Sequence, residues 1–363
     1  MRDGRGRTAV RERVKIALYS KNTYASPMTT ATPPRRNWHL QRWLLLLAAG
    51  LLAYGGWTQY AFRAALKEAE ALGLTVLYTD PVNEIRKNWR AALKKETWLD
   101  GATWVPIPTS EQFEHQSSVI HRLNPKAIRI IESNPWRDLS AVKALTRLEQ
   151  LDIWGGTNLI NVDALKNLSR LKEINFSECE ALTNVDALKH LPALEHVWLR
   201  RCTGLTNVDG LKNLSALQVI ELLGCTALKN IDALKNLSAL QKLNLTGCTG
   251  LTNVDALKNL AALHQVQLTG CTGITNVNAL KNLSALQVLD LTDCTGITNV
   301  NALKNLSALQ VLDLTDCTRL TNVDALKNLS ALQDVVLIGC TGLTKESVTA
   351  LRAALPNAQI IDR

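Results

Sequence analysis

The chain contains eight cysteines, at Cys179, Cys202, Cys225, Cys248, Cys271, Cys294, Cys317 and Cys340, and the same 23-residue interval separates each from the next. Each cysteine closes the same phrase, exemplified by Leu286-x-x-Leu289-x-Leu291-x-x-Cys294. A fixed period of this length is the mark of a stacked array and overrides the two or three domains that 363 residues would otherwise suggest. The register extends beyond the cysteines. Gly156 and Ser133 occupy the cysteine position upstream, and Leu355-x-x-Ala358-x-Ile360-x-x-Arg363 completes a last phrase, so eleven strand positions are expected. In the unit ending at Cys294, the residues Leu286, Leu289, Leu291 and Cys294 should point inward from a short strand and its exit. Ile274, Val277, Leu280 and Leu283 should point inward from the return arc. One such unit buries too little apolar surface to offset the ordering of its own backbone, so it must share its faces with neighbours. Residues 271–293 and 294–316 are identical at every position, which a recent tandem duplication explains.

The phrase matches the leucine-rich-repeat consensus, L-x-x-L-x-L-x-x-N/C-x-L. Over about residues 125–363 the spacing resembles the internalin-like class of bacterial leucine-rich repeats. The segment CTGITNVNALKNLSAL (271–286) follows that class's N-x-I-x-D-I-x-x-L-x-x-L-x-x-L pattern. It departs from it by one extra residue and by cysteine where asparagine is usual. The resemblance implies an α/β solenoid: a leucine-rich-repeat arc with parallel strands on a concave face and 3₁₀ or irregular turns on the convex one. It also suggests protein recognition, although fold alone does not fix function.

The net charge of +9 invites a nucleic-acid reading until it is located. Residues 1–42 hold ten Lys or Arg and two Asp or Glu, which leaves the rest of the chain near neutrality. The repeats therefore carry no overall field for phosphates, and no nucleic-acid partner is expected. The basic tail leads into WLLLLAAGLLAYGGW (43–57), an uncharged run that continues with little interruption to Phe62. As a helix it approaches the thickness of a hydrocarbon core, with Trp43, Trp57, Tyr60 and Phe62 at its ends. Arg35, Arg36 and Arg42 precede it, so the positive-inside bias places the N-terminus in the cytoplasm and the repeats on the periplasmic or extracellular side. A cleaved signal peptide, with Ala53, Tyr54 and Gly55 near the cleavage point, is the competing reading. Met28 offers a second translation start directly before this run. The expected organisation is a basic tail over 1–37, a single transmembrane helix over 38–62, a small α/β capping segment over 63–124 and the solenoid over 125–363. Within the capping segment, residues 74–80 read as strand and 104–112 as a turn-rich connection.

Cysteines in an exported chain usually pair. Here inward-pointing side chains on parallel strands do not turn toward one another as a disulfide requires, so buried free thiols are expected. No Cys-x-x-Cys or Cys/His cluster suggests zinc, no phosphate-cradling glycine loop is present, and the histidines are scattered. Neither a metal, a cofactor nor an enzymatic activity is expected. At the C-terminal end, Thr344 should cap a helix running to about Ala354, with Val348, Leu351 and Leu355 closing the core.

The alternate strand positions should face the concave side. Their central column reads Asp152, Asn175, Trp198, Glu221, Asn244, Gln267, Asp290, Asp313, Val336 and Gln359. The early repeats bring Trp154, His196, Trp198, Arg200, Arg201 and Glu221 into one region. Because Trp and Arg dominate binding hot spots, this is the expected binding patch for a protein partner. Asp290, Asp293, Asp313 and Asp316 form a second candidate, for which a solvated face of duplicated repeats is the simpler reading. The expected function is a membrane-tethered protein-binding module. The alternative is a passive structural spacer, favoured by the repetitive C-terminal half.

Overall fold

The computed structural model describes residues 77–78, 102–106, 125–131 and 136–362. The N-terminal tail, the apolar run and most of the capping segment lie outside the described residues. Among the described residues no helix is long and apolar enough to cross a membrane.

The described strands are β1 (Leu77–Tyr78), β2 (Ala102–Pro106), β3 (Ala127–Ile131), β4 (Gln150–Trp154), β5 (Glu173–Asn175), β6 (His196–Trp198), β7 (Val219–Glu221), β8 (Lys242–Asn244), β9 (Gln265–Gln267), β10 (Val288–Asp290), β11 (Val311–Asp313), β12 (Asp334–Val336) and β13 (Gln359–Ile361). They form one sheet in strict sequence order. From β2 onward every pairing is parallel, and only β1 joins antiparallel. The eleven strands β3 to β13 are those the repeat phrase requires, and they make the chain a solenoid.

Each strand owes its place to the alternation of its side chains. In β4, Leu151 and Ile153 are buried while Asp152 and Trp154 face the other way. The eight residues expected to fill the unit ending at Cys294 are all at most 1 % exposed. Between strands the chain returns through short 3₁₀ turns such as Asn278–Asn282, in which Leu280 N–H donates to Val277 O. An asparagine opens each of eight successive turns. Asn276 Oδ1, for instance, accepts from Asn278 N–H, and the same bond recurs from Asn161 to Asn322 at 2.6–3.3 Å. This local bond gives the repeated Asn-Val-Asp/Asn its structural purpose.

The cysteines form a ladder of another kind. All eight are free and buried. From Cys202 onward each Sγ donates to a backbone carbonyl of the preceding repeat, as Cys294 does to Leu268 O at 3.1 Å and Cys202 to Phe176 O at 2.9 Å. The thiol thus ties neighbouring coils together. Burial pushes the thiols of Cys202, Cys248, Cys271 and Cys340 up to about 12, and raises the other four as well. They are therefore neutral and unreactive at ordinary pH.

Immediately before each cysteine position the backbone turns through the left-handed region. Gly155, Gly224, Gly247, Gly270 and Gly339 occupy it with φ of 71–76°, and Glu178, Arg201, Asp293 and Asp316 with φ of 57–62°. Glycine and aspartate tolerate this geometry, whereas glutamate and arginine adopt it under strain.

Two expectations need correction at the ends. Residues 104–106 belong to β2 and are not part of a turn-rich connection. Val105 pairs with Ile128 and Pro106 with Arg129, the same offset as between the repeats. The solenoid register therefore begins one coil earlier than the leucines reveal. The segment alternates β-formers through Trp104 and Val105, and Pro106 stands last, where a strand tolerates it. At the other end the last coil is the longer one, because Val335 pairs with Ile360 and Val336 with Ile361. Gln359 thus lies beside Asp334, and Ile361 takes the central column in its place. The cause is α1 (Lys345–Ala354), capped by Thr344 Oγ1, which accepts from Ser347 N–H. An α-helix advances less per residue than a 3₁₀ or extended return, so this coil needs more residues to cover the same path. Val348, Leu351 and Leu355 of this coil are buried and close the core.

Candidate functional site

The concave face is built from side chains that the repeat brings into register once per coil. At its N-terminal end these groups are charged and bonded to one another. Arg129 on β3 donates through Nε to Asp152 Oδ2 on β4 at 2.7 Å. Asn175 on β5 donates to Asp152 Oδ1 at 2.9 Å, and its own Oδ1 accepts from Ser177 N–H and Oγ at 3.0 and 2.6 Å. On the far side, Arg200 Nε lies 3.5 Å from Glu221 Oε2, which also accepts from Asn244 Nδ2 at 3.1 Å.

Trp198 on β6 stands between these two networks in the central column. Its indole stacks on His196, with ring centroids 5.6 Å apart and planes inclined by 30°. Glu173 on the preceding strand approaches His196 Nδ1 at 3.7 Å, and the interaction with that ring holds the glutamate carboxyl below its usual range. The result is an open groove of about 250 Å³ lined by Arg129, Gln150, Leu151, Asp152, Glu173, Asn175, Ser177, Trp198 and Arg200. One aromatic face, two guanidinium groups and several fixed amide and carboxylate oxygens converge there on a rigid sheet. The polar wall groups are held by neighbours from other coils, so the groove is preorganised.

The six expected residues occupy different places. Trp198 and Arg200 line the groove. His196 is buried beneath the indole, and Glu221 is buried as the acceptor for Arg200 and Asn244. Trp154 is 53 % exposed at the end of β4, in the column shared with Ser177 and Arg200. Arg201 turns away through its left-handed backbone and pairs with Glu178 at 3.1 Å, outside the groove. Sequence reasoning passed over Arg129 as a site residue. Its signal was available, since it stands one repeat before Asp152 in the same column. Of the second candidate patch, Asp290 and Asp313 are buried in the central column, whereas Asp293 and Asp316 sit in the left-handed turns. Among the described residues no group of His, Cys, Asp or Glu side chains is arranged to hold a metal ion.

A family model for the BspA-type leucine-rich-repeat region matches residues 150–268 and 224–344, in six copies. The chain belongs to the BspA-type leucine-rich-repeat family. No curated protein sequence matches this BspA-type protein significantly. Among solved structures it is similar to an internalin, InlF, of Listeria monocytogenes, with a TM-score of 0.52 and 21 % identity over 78 % of this chain and 91 % of that one. The functional domain of InlJ from the same organism, described as including a cysteine ladder, gives a TM-score of 0.51 and 19 % identity. That match covers 67 % of this chain and 54 % of the other. At these identities the likeness establishes the shared solenoid fold, one that commonly serves protein binding.

Proposed function

We propose that this BspA-type repeat protein is a membrane-tethered binding module that recognises a protein through the groove centred on Trp198. The observation that carries the reading is the asymmetry of the concave face. An indole and two arginines converge on one preformed groove at β3–β6, while the strands from β7 to β13 carry no tryptophan or arginine and the coils around β10 and β11 repeat one another. Large aromatic and guanidinium groups fixed in place bind with little further loss of freedom. The tether rests on the apolar run 43–57 and its basic flank, which together favour an uncleaved anchor with the repeats outside the cytoplasm.

The test uses the full chain in detergent as bait for extracts of its own cell and surroundings. Trp198→Ala with Arg200→Ala should abolish capture of the partner, while Lys235→Glu, an exposed change on a return turn, should retain it. Circular dichroism would show all three proteins folded. Equal capture by the groove variant would remove the site from this groove. No specific capture by the wild type would favour the spacer reading, which the identical repeats 271–293 and 294–316 support.

A further inference from the structure

The repeats sum to near neutrality, yet on the return turns their charges are sorted into columns. A lysine recurs at every 23rd residue from Lys143 to Lys327, inside a 3₁₀ turn or as the residue that ends it. All are exposed except Lys327, which is half-buried. Because the coils stack in register, these ammonium groups form one line, stepping from coil to coil at about the strand spacing of 4.8 Å. Among the described residues, Lys327 is the one member of the line that forms an ion pair, with Asp324 at 2.6 Å. The turns do not need the charge. Leu280 and Leu283, on either side of Lys281, are fully buried and hold its turn to the core. Like charges in neighbouring coils repel, so the line costs some stability.

The line has unlike borders. Three residues before the lysine, six coils carry an aspartate: Asp163, Asp186, Asp209, Asp232, Asp255 and Asp324. The two identical coils carry Asn278 and Asn301 there, and neither of their 3₁₀ turns has an acidic residue in its first turn. The backbone bond at this position is the same in both cases. Asn278 N–H and Asn301 N–H donate to Asn276 and Asn299, as Asp255 N–H donates to Asn253. On the other border, from Lys212 to Lys327, no Asp or Glu stands between the lysine and the next strand. The exposed groups there are amides and hydroxyls, such as Asn282 and Ser284 in one coil and Asn305 and Ser307 in the next. Asparagines of this border reach from coil to coil, since Asn236 Nδ2 donates to Asn213 Oδ1 at 3.5 Å. Around Lys281 and Lys304 the surface is therefore cationic with neutral polar groups on both sides.

We propose that this edge of the solenoid, centred on Lys258, Lys281 and Lys304, binds an acidic polysaccharide that carries one carboxylate on each sugar. Such a chain repeats its charge with a step of the same order as the coils, so successive carboxylates meet successive lysines. The amides and hydroxyls alongside supply donors and acceptors for the sugar hydroxyls. Lysine suits the task, because its mobile point charge meets a carboxylate without the fixed two-point geometry of a guanidinium. Each exposed contact is weak alone, and linkage along one polymer makes them act together. A folded protein fits less well, since it would have to present acids in a straight row at this interval. The site lies on the return turns, away from the Trp198 groove, and stands if that groove proves idle.

The test is lysine footprinting by acetylation of the full chain in detergent, read residue by residue so that the basic N-terminal tail is scored apart. Polygalacturonate should slow acetylation of Lys258, Lys281 and Lys304 and leave Lys345, exposed at the start of α1, unchanged. Maltoheptaose, a neutral sugar chain, should protect none of them. Asn278→Asp with Asn301→Asp restores the acidic border without touching a lysine. It should raise the polygalacturonate concentration for half-protection about fivefold. This variant should stay folded, since aspartate already serves the position in six coils. Thr249→Asp with Thr272→Asp makes the same charge change at exposed positions just after two cysteines and should leave half-protection where it was. Four results would each overturn the assignment: no protection at the three lysines, protection by maltoheptaose, equal weakening by the threonine control, or protection by oligothymidylate at a lower concentration of charge than by polygalacturonate.

Discussion

Single residues in this molecule are decided by the column they occupy. Arg201 is the clearest case. It sits at φ 57° in a column otherwise held by Gly, Asp and one Glu, and its exposed pair with Glu178 contributes little in return. Arg201→Gly should therefore raise stability by about 1 kcal/mol, read as a higher thermal midpoint. A lower midpoint would show that the ion pair outweighs the backbone strain. Asp290 gives a pH-dependent counterpart. Its folded carboxyl titrates above the ordinary value of 3.8, so the folded state holds the proton more tightly than the unfolded chain does. That contribution to stability is present below 3.8 and is lost as the pH rises through the folded value. Asp290→Asn should raise the midpoint at neutral pH and give no gain at pH near 3. An equal gain at both would remove the charge from the explanation.

At the scale of the element, legibility followed the leucines and cysteines. Strands β4 to β12 and their inward faces were readable because each inward position is filled by an apolar side chain at a fixed spacing. The thiol-to-carbonyl ladder was not readable, since spacing says that a cysteine is buried and not what its Sγ touches. The two ends were misread for the same physical reason. Where the repeat stops being apolar at every marker, as in β2, or exchanges a 3₁₀ return for α1, counting by a fixed period loses the register. Gln359 was placed in the central column by that count, and Ile361 stands there. Gly210 shows how closely the return turns approach. Where neighbouring coils carry Ala187 and Ala233, a Cβ on Gly210 would run into Val185 O. That carbonyl is already committed to Leu188 N–H at 2.9 Å. Gly210→Ala should cost about 1–3 kcal/mol by overpacking, measured by chemical denaturation. An unchanged midpoint would mean that the coils slide apart freely.

For the whole molecule, the solenoid is a rigid frame on which a few unlike side chains create difference along an otherwise uniform face. The sequence made Trp198 and Arg200 visible as oddities in their columns. Only the structure separated Arg201 from them and brought Arg129 in, because adjacency in sequence at a left-handed turn means opposite directions in space. The central claim is that recognition occurs in the groove of β3–β6. Its most direct measurement is hydroxyl-radical footprinting of the full chain alone and with its captured partner. Oxidation of Trp198 should fall in the complex, while Ile160, 46 % exposed on the return arc, should be oxidised as before. Protection of Ile160 with Trp198 unchanged would contradict the account and place recognition on the convex side.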